Sequence, residues 1–90
     1  MSRPTIHWDD ENSHHILVER AERGISRAEV EEVLLGSNTV RWFTRRGGRL
    51  KALGSTSTGR CLTVIYVGIE RMRPVTAWLE KKQECERWRT

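Results

Sequence analysis

Ninety residues with a formal charge of +4 make a single domain, residues 1–90, because a chain this size buries roughly 60–65% of its unfolded surface around one core. A charged fraction of 31% excludes a disordered chain. The longest apolar run, residues 62–69, is too short to span a bilayer, and no N-terminal apolar run resembles a secretory signal, so a cytoplasmic protein without membrane contact is expected.

Along the chain, TIHW at residues 5–8 is a short strand candidate with Ile6 and Trp8 on one face. Asp9 or Asp10 then offers a helix N-cap, and the acids that follow suit the helix dipole. The spacing of His14, Val18, Ala21 and Ile25, with Leu17 beside them, predicts an α-helix to Arg23, ended by Gly24. SRAE at 26–29 is a capping box, in which the Ser26 hydroxyl accepts from the Glu29 amide while Glu29 reaches back. Val30, Val33 and Leu34 then form the apolar stripe of a second helix that closes at Gly36.

After Asn38 the apolar period changes to two. Residues 39–45 read as a strand, Gly47-Gly48 as a hairpin turn, and 49–56 as the returning strand. A second turn at 57–59 leads into RCLTVIYVG at 60–68, apolar enough to lie at the sheet centre. A last strand covers about 73–79, and EKKQECERWR ends the chain as a short helix. The order β-α-α-β-β-β-β-α predicts an α+β domain with helices packed on an antiparallel sheet. Trp8 and Trp78 are expected in the core, and Trp88 at an interface.

Charge is unevenly spread. Residues 1–32 carry eight acids against four bases, whereas residues 33–69 carry six bases and no acid. Such asymmetry suits one polyanion-facing side and a second face for a basic partner. Alternation places Arg41, Phe43 and Arg45 on one face of their strand, and Arg46 and Lys51 extend the basic hairpin. Arginines that neutralise phosphates around an aromatic that stacks on a base suit nucleic acid. A solvated face or a protected sheet edge would use the same residues. Cys61 and Cys85 lack metal-site spacing and are expected as reduced thiols. His14 and His15, adjacent on a helix, point apart, so no metal site is expected, nor a cofactor-binding phosphate loop.

The order of motifs resembles the BrnT-type toxins, RelE-like ribonucleases of bacterial type II toxin–antitoxin pairs. The resemblance rests on WDDEN at 8–12, GIS at 24–26, Arg49 with Gly54, Gly59-Arg60, RPVTA at 73–77, Glu84 and Trp88. The sequence departs from the family pattern at Arg23 (usually His), Trp78 (usually Arg), Cys85 (usually Arg) and Trp88 (usually Tyr), and its first helix is longer by four residues. The resemblance implies a RelE-like fold and a toxin that cleaves RNA without a metal, by attack of the 2′-hydroxyl on the neighbouring phosphate. It implies Arg49, Arg60 and Arg73 as phosphate and transition-state contacts and Glu84 as general base, and the basic hairpin residues Arg41, Phe43, Arg45, Arg46 and Lys51, read from alternation and charge, are expected to bind the nucleic acid. A bare ion pair of Glu84 with Lys81 or Arg87 is the alternative for that carboxylate, and core packing is the alternative to an acid role for Tyr66. The implied partners are RNA and a cognate antitoxin, within a homodimer or a toxin–antitoxin hetero-oligomer. The other functional class is a catalytically silent relative that binds nucleic acid or protein.

Overall fold

The structure, a computed structural model, describes residues 4–36, 39–44 and 47–88. β1 (Thr5–Ile6) leads into α1 (Asp10–Ser13), a π-helical segment at His14–Glu19, a 3-10 turn at Ala21–Arg23 and α2 (Arg27–Leu35). β2 (Val40–Phe43), β3 (Arg49–Ser55), β4 (Cys61–Val67) and β5 (Arg71–Glu80) follow, then α3 (Lys82–Arg87). The strands form one five-stranded sheet in the order β1-β5-β4-β3-β2, which puts the apolar β4 at its centre as its composition predicts. β2 to β5 run antiparallel, and β1 adds to β5 in parallel.

Local chemistry explains the element starts. At Asp9 the carboxylate accepts from the Asn12 amide at 2.9 Å while the Asn12 side chain accepts from the Asp9 amide at 2.8 Å. At Ser26 the predicted box is present: the Glu29 amide donates to Ser26 Oγ at 3.2 Å and the Ser26 amide donates to Glu29 Oε1 at 3.1 Å. Ser26→Ala is expected to cost about 1 kcal/mol, read as a shift in a denaturant midpoint. Gly47 and Gly48 take φ of 54° and 69°, a region where glycine alone is unstrained.

The first helix differs from its predicted course. Its middle carries i to i+5 bonds, so the face advances more slowly per residue than in an α-helix. Ile16 therefore enters the core and Leu17 packs beside it, while Val18 is 60% exposed and His14 and Ala21 face outward. The expected stripe through His14, Val18 and Ala21 requires the α-helical period, which the π-helical segment does not keep.

One face of the sheet carries the main core. Ile16, Val30, Val33 and Leu34 pack on Leu50, Ala52, Leu62, Val64, Tyr66 and Ala77. Gly54 lets α2 lie directly on β3, because a Cβ there would sit 2.7 Å from Thr39 Oγ1 and 3.3 Å from Val33 Cγ1. Trp8 packs at the rim of this core, and its indole donates to Glu31 at 3.0 Å. Trp78 does not join it: cross-strand pairing with Thr63 and Leu53 puts Trp78 on the opposite face, where its indole donates to Glu80 at 2.6 Å.

Among the described residues that opposite face is covered at one end alone, by α3. Leu53, Cys61 and Cys85 form a small second core there, with Trp42 against it. Cys61 and Cys85 are joined as a disulfide with Cα atoms 5.9 Å apart, which corrects the expectation of reduced thiols. Twenty-four residues separate them in sequence, and only the return of α3 onto the start of β4 brings them together. A link of this kind stabilises largely by constraining the unfolded chain. No helix among the described residues is long and apolar enough to cross a membrane.

Candidate nucleic-acid interface

Directly paired residues on neighbouring strands share a face, so the register reads out the open side of the sheet row by row. The outermost row is Arg49–Val67–Arg73. The next is Trp42–Lys51–Ile65–Thr76, and then Val40–Leu53–Thr63–Trp78. A register shift at Ile65/Tyr66 leaves Val75 as an extra residue, and this keeps both Arg73 and Thr76 on the open face. Arg49 and Arg73 thus flank Val67, with backbones about 10 Å apart across two strand spacings.

The two arginines differ in what holds them. Arg49 is exposed, and among the described residues its guanidinium has no hydrogen bond or ion pair. Arg73 is held: Nε donates to Asp9 Oδ2 at 2.9 Å, Nη2 donates to Asp9 Oδ1 at 3.3 Å, and Glu11 lies 3.7 Å from Nη2. The Asn12 amide and then Arg73 hold the Asp9 carboxyl below the usual carboxylate range. A depressed carboxylate contributes stability that is fully present above its unfolded pKa and fades as pH falls toward the folded value. Acid titration from about pH 4 downward is therefore expected to weaken the fold through this group, and Asp9→Asn should flatten that part of the curve.

Glu84 lies on α3 beside a recess of about 330 Å³, which Trp42, Lys51, Thr63, Glu80 and Trp88 also line. No ion pair to Lys81 or Arg87 forms, and among the described residues Glu84 has no charged partner within 4 Å. Lys51 Nζ stands 5.4 Å over the Trp42 ring. Lys51, one row in from Arg49, and Arg87, on the same helix as Glu84, both line this recess.

Other expected site residues go elsewhere. Arg60 precedes β4 at the end far from Val67, about 20 Å away along the strand. Its Nη1 donates to Glu29 Oε1 at 3.0 Å and to the Gly24 carbonyl at 2.9 Å, and its Nη2 to the Arg23 carbonyl at 3.4 Å. It clamps the junction before α2 rather than joining Arg49 and Arg73. Arg41 and Phe43 do share a face, but it is the helix-packed one. Arg41 donates to Tyr66 Oη at 3.2 Å and to the Leu34 carbonyl near the end of α2, while Phe43 is 81% exposed beside it. The hairpin therefore divides its charge, with Arg41 on one side and Arg49 and Lys51 on the other. Arg45 and Arg46 lie outside the described residues. Tyr66 is buried in the core.

His14 and His15 share one partner, with Nδ1 atoms 3.2 and 3.0 Å from the two Glu19 oxygens; these bonds, His15 first, hold the Glu19 carboxyl below its usual value. Among the described residues no three His, Cys, Asp or Glu side chains are grouped to hold a metal ion.

Two features of the open face were not singled out from the sequence. Asp9 as the anchor of Arg73 depends on β1 joining β5, a contact across 64 residues with no local signal. The Trp42–Trp88 pair, ring centroids 5.2 Å apart at 78°, had a partial signal: counting back from Gly47-Gly48 sets Trp42 opposite Lys51.

No protein-family model matches the chain, and no curated protein sequence matches it. Among solved structures, the chain is similar to the ribonuclease toxin BrnT of Brucella abortus, with a TM-score of 0.62 and 16% identity over 90% of this chain and 99% of that one. That likeness, spread over nine-tenths of the chain, places it on the BrnT fold.

Proposed function

We propose that this protein is the toxin of a toxin–antitoxin pair and acts as a ribonuclease through the open face of its sheet. The observation that carries the reading is the row Arg49–Val67–Arg73 with Lys51 one row in, where a recess shared with Glu84 begins, on a fold shared with a ribonuclease toxin. In RNA the nucleophile comes with the substrate. The protein must orient the 2′-hydroxyl, offset the charge added to the phosphate and move two protons.

Arg49 supplies an unengaged guanidinium fork for the phosphate oxygens. Arg73 is held at fixed geometry by Asp9, which offsets its charge, so it orients the phosphate as a hydrogen-bond donor while Arg49 supplies the charge. Lys51 neutralises a neighbouring phosphate, and Glu84 accepts the proton of the attacking hydroxyl. Work on RNA places the protein in the cytoplasm, with an antitoxin that covers this basic face. Arg60 and Arg41 support the scaffold in this reading, through the contacts they make to α2 and the turn before it.

Three of the family departures hold structural posts, which favours a second reading as a silent binding module. Arg23 donates to the Ala77 carbonyl at 2.8 Å, Cys85 is in the disulfide, and Trp78 bonds Glu80. Incubation of the purified protein with total RNA, with and without a chelator, separates the two. The ribonuclease reading expects cleavage in both conditions. Binding without cleavage, weakening with salt by a slope of roughly three to five phosphate contacts, would support the second.

A further inference from the structure

The recess next to Glu84 has more than a catalytic carboxylate in it. Its walls include the two indoles of Trp42 and Trp88, set edge to face at 5.2 Å. A cation stands over each ring: Lys51 Nζ at 5.4 Å from the Trp42 centroid, and the Arg87 guanidinium at 5.7 Å from that of Trp88. A pair of tryptophans that only pinned α3 to the sheet would be sealed off. Trp88 instead remains 42% exposed, just past the end of α3, and Trp42 is half-buried. The volume, about 330 Å³, lies at the lower end of the range for sites that enclose small planar ligands.

From this geometry we propose that the recess is a nucleobase subsite, which holds one purine of the RNA stacked on Trp88, with its edge toward Trp42, and sets its ribose beside Glu84. The proposal rests on the RNA-directed reading of the open face and adds the part of the substrate that is held there. Flat indole surface is sequence-tolerant but favours the larger ring system, and a stacked base contributes about tenfold to a hundredfold in affinity. Lys51 and Arg87 are over ring faces in the free protein. On entry of a base they exchange those faces for the phosphates on either side of it, so their charge stays paired with either the π-cloud or the anion. Trp88 and Trp42 are then positioning residues: they touch the base, and Glu84 meets the hydroxyl because the base is fixed.

The test uses ligands that the protein has no internucleotide bond to cut. GMP, AMP, UMP and ribose 5-phosphate are titrated into the full chain, followed by calorimetry and by the indole N–H resonances. The expected result is saturable binding of GMP and AMP that shifts the Trp42 and Trp88 signals, with UMP weaker and ribose 5-phosphate leaving the indoles unmoved. Trp88→Phe should keep most of the GMP affinity, and Trp88→Leu should lose about tenfold. The unchanged Trp8 resonance, from the other side of the sheet, serves as the check that each variant is folded. Equal binding of ribose 5-phosphate and GMP would overturn the proposal, as would full GMP affinity in Trp88→Leu or no binding of any nucleotide to the folded wild-type chain. Nucleotide binding in a protein that cuts no RNA would leave the subsite standing and remove the ribonuclease reading. RNA cleavage that is unchanged in Trp88→Leu would remove the subsite and leave that reading intact.

Discussion

Replacing Arg49 with alanine is expected to slow RNA cleavage on the order of a hundredfold while leaving thermal stability nearly unchanged. The magnitude follows from loss of one preorganised contact to a phosphate whose charge grows as the 2′-hydroxyl attacks. The separation from stability follows from the structure, since the Arg49 side chain is exposed and has no partner among the described residues. Arg49→Lys should recover only part of the rate, because an ammonium keeps the charge but lacks the planar fork. Arg73 would give a less readable result. Its removal also leaves Asp9 without its guanidinium, so rate and stability would fall together. A variant Arg49→Ala that cuts RNA like the parent protein would show that the outermost row is not where the phosphate sits.

Arg60→Ala should produce the opposite pattern: a large loss of stability and no loss of rate per folded molecule. Arg60 bonds Glu29 and two junction carbonyls, and Glu29 is a carboxylate only 14% exposed. Glu29 Oε2 is already buried without a hydrogen-bond partner. Taking away the guanidinium leaves a largely buried charge with the Ser26 cap as its remaining support, which should cost about 2 kcal/mol. For a domain of this size that corresponds to a fall in melting temperature of roughly 8–16 °C. Calorimetry of the variant checks the first half, and a rate normalised to folded protein checks the second. Unchanged stability with a collapsed rate would return Arg60 to the reacting centre.

The signals that were legible in the sequence are local ones. The Ser26 box, the Gly47-Gly48 turn, the change of period after Asn38 and the apolar β4 each depend on residues within a few positions of one another. What escaped depends on contacts far apart in the chain or on an unusual local geometry. The π-helical turn at His14–Glu19 rotates the first helix enough to exchange Val18 for Ile16 in the core. The Cys61–Cys85 link, the Arg60–Glu29 clasp and the Arg73–Asp9 pair span 24, 31 and 64 residues. Alternation correctly placed Arg41 and Phe43 on one face but could not say which face the helices cover. The row Arg49–Val67–Arg73 needed two strand registers and one bulge, none of which is encoded by spacing alone.

The most direct measurement compares cleavage of one RNA with cleavage of the same RNA carrying a single 2′-deoxy nucleotide at the cut site. The substrate's own hydroxyl is the nucleophile in the mechanism assigned to the open face, so cleavage at that site should disappear while binding is retained. Equal cleavage of both molecules would contradict it.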